Sequence, residues 1–372
     1  MQIRGAVLAD GAVRVMEDIE LAAPRPGEAL VEIAAAGVCG SDLALLDGKF
    51  EFPTPALLGH EAVGRVVSLG ADTDGPAPGT RVTLWMRPPC RECRACRRNL
   101  AALCERSGFM SARGTLLDGT TGLSRGGETV YRGFGVGAFG SHVVMPVNGL
   151  IVVPDDVPDD VAALAGCGVA TGVGAIINVA KPEPGDSVLI FGGGGVGLSA
   201  AMAAAAVGAG AVIVCDPAEH RRELAMSLGA THVIEPGDRD AVRSRLKAEI
   251  GSSNVDLVID TAGRPELISL GHSLVHQGGA VVAVGLQPPG EDVVLKAAVV
   301  PITHKRILGC FMGGIDPHRD LPRMFQLYVS GRLPIDRLVT HHRPLDETAQ
   351  ALGDLSSAVG LRTIINVQEM AG

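Results

Sequence analysis

The run SVLIFGGGGVGLSAAMAAAAVGAGAVIVCD, residues 187–216, decides how this chain is read. It opens on an apolar, β-branched stretch, breaks on glycines, continues through an Ala-rich segment and ends in a second strand-like stretch, AVIVCD. Gly192, Gly194 and Gly197 stand in G-x-G-x-x-G register between the first strand and the helix, with Gly195 and Val196 filling the spacing. In that setting the first glycine makes the tight turn and the second lets backbone approach a pyrophosphate. The third lets helix pack on strand, and the helix N-terminus favours phosphate charge. Asp216 closes the second strand, where a carboxylate bonds the adenosine ribose and repels a 2′-phosphate, so NAD is expected rather than NADP. The competing reading of Asp216 is a turn residue before Pro217.

From about Gly168 onward, strand-like and helical stretches alternate: SVLIFG, AVIVCD, PAEHRRELAMSLGA, THVIE, VDLVID and AVVAVG. Short buried strands alternating with helices indicate a doubly wound parallel sheet. Upstream the rhythm differs. IRGAVLA, GAVRVME, EALVEIAAAG, AVGRVVSLG and TRVTLW are short β-like runs punctuated by APRPGE and ADTDGPAPGT, the pattern of an antiparallel, turn-rich domain. After Gly309 come an amphipathic segment, DLPRMFQLYVSGRL, and a closing strand-like RTIINV. The expected organisation is an α/β chain in which residues 1–168 and 312–372 form one discontinuous domain and 169–311 a second.

Bulk composition is consistent with two filled cores. The chain has 372 residues, 47% of them hydrophobic and only 3% aromatic, so Ala, Val, Leu and Ile must build most of the interior. A formal charge of −9 argues against nucleic acid or an anionic membrane as a partner. The N-terminus shows no secretion pattern, and the eight cysteines suit a reducing, cytoplasmic setting in which metal binding is commoner than disulfides.

Cys90, Cys93, Cys96 and Cys104 form C-x2-C-x2-C-x7-C, a spacing that can close a tetrahedral shell around Zn²⁺ with no place for water. Arg87, Arg91, Arg94, Arg97 and Arg98 crowd this loop. Zinc ribbons that bind nucleic acid separate two C-x2-C pairs more widely, so these arginines are read as solvated or as offsetting the thiolate charge. Cys39, His60 and Cys167 lie in GVCGSD, LLGHEAVG and LAGCGVATG, and spacing alone does not unite them. Taken singly, His60 in an apolar run is more often a satisfied core histidine, and Cys39 or Cys167 an inert buried thiol. Cys215 and Cys310 match no ligand pattern and are read as buried structural thiols.

GVCGSD, GHEAVG, the four-cysteine loop, CGVATGVGAIINVAKPEPG, FGGGGVG, Asp216 and RTIINV occur together in one order across essentially the whole chain. In this the chain resembles the zinc-containing alcohol dehydrogenases of the medium-chain dehydrogenase/reductase superfamily. TLLDGTTGLSRGGETVYRGFG further resembles the long-loop alcohol and thiol-dependent formaldehyde dehydrogenase branch. The resemblance implies a GroES-like β-rich catalytic domain beside the Rossmann domain, and two zinc ions per subunit. It implies that Cys39, His60 and Cys167 hold the catalytic zinc, and that Cys90, Cys93, Cys96 and Cys104 hold the structural one. Asp42 would orient His60, Glu61 would lie behind the metal, and Ser41 would take the alcohol proton. Thr171 and Val196 would pack on the nicotinamide, Arg221 would stand near the adenosine and Arg362 would bind the pyrophosphate. The implied reaction is hydride transfer between an alcohol or aldehyde and NAD, in a homodimer or homotetramer.

The sequence also departs from the family pattern. Gly40 stands where many relatives carry a phosphate-binding His or Arg, and Ala44 where a histidine often ends the proton relay. Trp85 and Met86 replace a common aromatic wall, leaving Met86 and Phe134 as candidates to line the substrate pocket. Two other functions compete: a thiol-adduct formaldehyde dehydrogenase, and a catalytically silent NAD-binding protein. Intact ligands, Ser41 and Glu61 weigh against the second.

Overall fold

A computed structural model describes residues 1–49, 51–286, 290–357 and 359–368. It separates into two compact units. The first comprises Met1–Cys167, Asp316–Ser330 and Ile335–Gly372, and the second Gly168–Ile315 and Gly331–Pro334.

The first unit is built on two sheets. In the seven-stranded sheet the strand Glu28–Gly37 is central, pairing antiparallel with Glu61–Leu69, with the C-terminal strand Arg362–Asn366 and with His142–Pro146. Along Glu28–Gly37, burial alternates as expected of a strand with one face in the core, then becomes continuous over Ala35, Ala36 and Gly37. That fully buried end is where the candidate site forms. The run RTIINV is the inserted strand Arg362–Asn366, whose pairs Ile364 with Gly37 and Ile365 with Ala36 fix its register. The six-stranded sheet contains Gln2–Ala9 and Ala12–Leu21, the IRGAVLA and GAVRVME runs. DLPRMFQLYVSGRL lies largely in the helix Pro317–Val329, whose apolar stripe Leu321, Met324 and Phe325 is buried.

The second unit is a six-stranded, wholly parallel sheet. Its strands lie in the order His232–Ile234, Ala211–Cys215, Ser187–Phe191, Val255–Asp260, Val275–Ala283, Arg306–Gly309. Numbered along the chain this is 3-2-1-4-5-6, the Rossmann order, in which connections reverse direction beside the first strand. Ligands of such sheets bind beyond the carboxyl ends of the strands at that reversal, which is where the glycine loop begins. Cys215 and Cys310 are buried here, and burial pushes their thiols up to about 12 and about 11, as inert core cysteines require.

Candidate active site and metal centres

Cys39 is the cap residue of the short helix Gly40–Leu46, which carries Ser41 and Asp42. His60 immediately precedes the strand Glu61–Leu69, and Cys167 follows the helix Asp159–Leu164. These elements bring donor atoms of Cys39, His60, Glu61 and Cys167 within 4.8 Å of one another.

Asp42 is fully buried and organises the group. Its Oδ1 accepts from Gly59 N at 3.2 Å and faces His60 Nδ1 at 3.1 Å, while its Oδ2 accepts from Cys39 N at 3.2 Å. A proton on Nδ1, directed at a carboxylate, leaves Nε2 with a lone pair. His60 Nε2 is buried with no hydrogen-bond partner. An orphaned buried acceptor is costly, and a cation shared with two thiolates removes the cost. The two thiols respond to each other in opposite senses. The hydrogen bond between them holds Cys39 well below the ordinary thiol range and pushes Cys167 well above it. Two sulfurs and one imidazole nitrogen constitute a fitting donor set for catalytic zinc, which takes three protein ligands and leaves the fourth position to water or substrate.

Ser41 Oγ lies 3.8 Å from Cys39 Sγ. Phe134 packs edge-on against the His60 ring, with ring centroids 4.9 Å apart, and Phe52 packs on Phe134 at 5.9 Å. Met86 is buried. Arg362, expected at a pyrophosphate, is itself buried and forms an ion pair with Glu61 through Nη2.

Cys90, Cys93, Cys96 and Cys104 also converge within 4.8 Å. Backbone amides already point at the sulfurs: Cys90 N at Cys104 Sγ at 3.4 Å, Cys93 N at Cys90 Sγ at 3.3 Å and Cys96 N at Cys93 Sγ at 3.5 Å. Such N–H groups stabilise thiolates before any metal arrives. Burial pushes Cys96 up to about 12, whereas Cys104, although burial opposes it, is drawn down to about 6 by Ser107 and Cys90. Four sulfurs leave no open position, which fits a structural zinc. The loop arginines have separate occupations. Arg87 donates to Cys104 O and Ser111 Oγ, and Arg91 grips Asp316 with two bonds of 2.6 and 2.8 Å. Arg97 turns back onto Glu92 O, and Arg94 and Arg98 are exposed.

In the second unit the glycines can be told apart by what a side chain would meet. Gly192 has φ of 101°, open to glycine and strained for other residues. A Cβ on Gly197 would overlap the Gly192 carbonyl oxygen, whereas one on Gly194 would meet nothing within 4 Å. Gly194 therefore leaves open space at the start of the helix Gly195–Ala206, where Gly195 and Val196 present backbone amides of the first turn. Gly172 lies hard against Val196 O, so the helix Gly168–Gly174, which carries Thr171, packs directly on the start of that helix. Asp216 is buried, its Oδ2 accepting from Gly193 N at 2.7 Å and its Oδ1 from Ala218 N at 2.8 Å. Arg221 Nη1 lies 3.9 Å from Asp216 Oδ2.

Two residues escaped the sequence reading. Thr261 Oγ1 donates to Phe191 O at 2.8 Å and buttresses the glycine turn, where a Cβ on Gly192 would sit 2.7 Å from it. Its signal was the polar residue straight after VDLVID, at the end of a buried strand. Gly37, two residues before Cys39, lies under the Glu61–Arg362 pair. Nothing local announces that.

Residues 25–155 match the alcohol dehydrogenase GroES-like domain family, and residues 195–330 the zinc-binding dehydrogenase family. Alcohol dehydrogenase 1 of Oryza sativa subsp. indica is 32% identical over 358 residues, 95% of this chain and 94% of that protein. Among solved structures, an alcohol dehydrogenase zinc-binding domain protein from Burkholderia ambifaria is similar at 32% identity and TM-score 0.92, covering 99% of this chain and 100% of that one. Benzyl alcohol dehydrogenase from Acinetobacter calcoaceticus is similar at 31% identity and TM-score 0.91, covering 98% and 99%. Two further similar structures, both 27% identical, hold different cofactors. A zinc-binding dehydrogenase from Sinorhizobium meliloti binds NADP (TM-score 0.81, covering 98% and 99%). Acetophenone reductase from Geotrichum candidum is in complex with NAD (TM-score 0.79, covering 98% and 97%).

Proposed function

This chain belongs to the zinc-containing alcohol dehydrogenases of the medium-chain dehydrogenase/reductase superfamily, and from that premise we propose that it interconverts an apolar primary alcohol and its aldehyde, with NAD as partner. The observation that carries the reading is the orphaned His60 Nε2 held toward Cys39 and Cys167. Cys39, His60 and Cys167 hold the catalytic zinc, and Cys90, Cys93, Cys96 and Cys104 a structural one.

When bound, zinc supplies the Lewis acidity that makes an alcohol ionisable and a carbonyl electrophilic, and the dinucleotide supplies the hydride acceptor. The chain's own residues do the rest. Asp42 fixes the His60 ring and its tautomer, so that Nε2 is free to ligate. Ser41 Oγ receives the alcohol proton. Ala44 offers no onward acceptor, so the proton leaves from Ser41, which is only half-buried, to solvent. Gly194 admits the pyrophosphate, and Thr171 and Val196 pack on the nicotinamide. Asp216, flanked by Arg221, binds the adenosine ribose and supports NAD over NADP. Phe134 and Met86 line the alcohol's path. Phe134, edge-on to His60, suits an aromatic or long apolar substrate, in line with the benzyl alcohol dehydrogenase among the similar structures.

Among the described residues no helix is long and apolar enough to cross a membrane. We further infer a cytoplasmic homo-oligomer. Eight free cysteines support a reducing compartment, and the edge strand Arg306–Gly309, whose outer side pairs with no other strand among the described residues and whose Ile307 is exposed, supports association through the second unit.

The test is a panel of aliphatic, benzylic and terpenoid alcohols assayed with NAD and with NADP, together with formaldehyde with and without a small thiol. Cys39→Ala should abolish turnover and release one of two zinc ions while the fold persists. Cys93→Ser should chiefly lower stability. Normal turnover by the Cys39 variant would sink the ligand assignment, and formaldehyde oxidation that depends on the thiol would redirect the substrate.

A further inference from the structure

Arg132 ends the short strand Tyr131–Arg132 and leads into the turn Gly133–Gly135, which carries Phe134. It is wholly buried, and among the described residues its side chain donates only to main-chain carbonyls. Nε gives to Gly135 O at 3.2 Å, Nη1 to Thr121 O at 3.1 Å and Nη2 to Val144 O. Burial draws the guanidinium down to about 10, so it keeps its charge at neutral pH. A buried charge without a carboxylate partner is costly. A methionine would fill the same volume without that cost, but it could tie nothing together.

The Nε bond is the informative one. It runs from the side chain to the carbonyl three residues on, and so closes a ring of chain that contains Phe134. Phe134 has φ of 50° and ψ of 30°, a left-handed backbone that a bulky residue rarely adopts. Its two neighbours leave the turn no slack. A Cβ on Gly133 would lie 2.9 Å from Leu57 O, and one on Gly135, whose φ is 81°, would lie 3.0 Å from Met110 Cε. Beyond the turn, Gly137 N and Ala138 N donate to Gly59 O at 3.1 and 2.8 Å, the carbonyl just before His60. The loop is thereby registered against the histidine, and the strained residue is the one whose ring lies edge-on to it. Phe134 is half-buried, which leaves part of the ring free to meet another molecule. A residue in such a conformation persists only where its surroundings over-determine it. Without the bond across the turn, the backbone at Phe134 can fall to an ordinary conformation and carry the ring away from His60.

We propose that Arg132 is a positioning residue for substrate choice: its guanidinium spans the turn and holds the Phe134 ring beside His60, as the wall on which an aromatic or long apolar alcohol packs. This rests on Phe134 lining the alcohol's path.

The test compares kcat/KM for benzyl alcohol and for ethanol at saturating NAD, in the full-length wild type, Arg132→Met, Phe134→Ala and the double variant. An aromatic contact is worth roughly 3- to 10-fold, so Phe134→Ala should lower the benzyl-to-ethanol ratio by that factor, chiefly through KM for benzyl alcohol. Arg132→Met should lower the ratio similarly. The double variant should lose no more than Phe134→Ala, because a clasp with no ring to hold has nothing left to contribute. An arginine that served stability alone would reduce both alcohols together through the folded fraction and leave the ratio unmoved. Should Arg132→Met fail to fold, Arg132→Lys, alone and with Phe134→Ala, decides instead: it keeps the stem and the charge but lacks the Nε donor and the fork. An unchanged ratio in the folded Arg132 variants, or losses that add in the double variant, overturns the proposal. A Phe134→Ala variant with the wild-type ratio, or a wild type that oxidises neither alcohol, overturns the reading of the pocket on which it rests, and the proposal with it.

Discussion

Replacing Asp42 by asparagine changes one oxygen to an amino group and should unsettle the frame around His60. Both carboxylate oxygens face donors: Oδ1 meets Gly59 N–H and His60 Nδ1, and Oδ2 meets Cys39 N–H. Asparagine offers one acceptor and one donor, so it satisfies one side only. With its oxygen toward Gly59 and His60, its amino group confronts Cys39 N–H. Turned the other way it confronts Gly59 N–H, and His60 can then pair with it only by moving its proton to Nε2, the nitrogen meant for the metal. The first orientation leaves Cys39 N–H facing donors in place of an acceptor, and an unsatisfied buried N–H costs about 1–3 kcal/mol. It also removes the charge that favours the ligating tautomer, and loss of such a supporting group weakens metal binding by roughly 10- to 100-fold.

Asp42→Asn is therefore expected to lower the unfolding free energy by about 1–3 kcal/mol in urea. In competition with a chromophoric chelator it should surrender one zinc early. The four-thiolate site is an internal standard, since none of its cysteines touches Asp42, and its zinc should leave as in wild type. If both metals left together at the wild-type chelator concentration and the urea midpoint stayed put, the hydrogen bonds to Asp42 would not be what organises the site.

The glycine loop allows a paired prediction. Gly194→Ala should fold with stability within about 0.5 kcal/mol of wild type, because the new methyl meets nothing, yet bind NAD at least tenfold more weakly, about 1.4 kcal/mol. Gly197→Ala should damage the second unit itself, seen as early unfolding before any cofactor is added; equal behaviour of the two variants would refute the distinction. The Arg91–Asp316 pair predicts an acid limb in stability. The Arg91 hydrogen bond holds the Asp316 carboxyl below its ordinary 3.8, so the fold binds that proton less readily than the unfolded chain. The pair's contribution is present above that value and is lost as pH falls through the lower folded one. Arg91 is 47% exposed, which limits it to about 0.5 kcal/mol at neutral pH, shrinking in high salt. Asp316→Asn should remove this part of the acid dependence in urea titrations, and an unchanged acid limb would count against it.

What could be read in advance divides by sequence separation. Each glycine of the cofactor loop has a role set within a few residues: a turn at Gly192, open space at Gly194, and an overlap of Gly197 with Gly192 O. The four-cysteine loop is equally local, since its cysteines fall within one short segment and the amides of Cys90, Cys93 and Cys96 donate to the sulfurs of Cys104, Cys90 and Cys93. Cys39, His60 and Cys167 are different. Their meeting depends on the register of Glu28–Gly37 against Glu61–Leu69 and on a helix ending just before Cys167, and spacing encodes neither; resemblance supplied them. Arg362 shows the remaining gap. Its partner Glu61 is 301 residues away, and the pairing exists because the last strand docks beside the central one, Ile364 opposite Gly37. A role expected from family likeness, contact with pyrophosphate, says nothing of that bond. Gly37 is silent for the same reason, since the space it leaves is defined by two strands that flank it from opposite directions. Where a site is assembled by register, the residues that matter include those whose side chains are missing, and these become visible only when a Cβ is imagined where none stands.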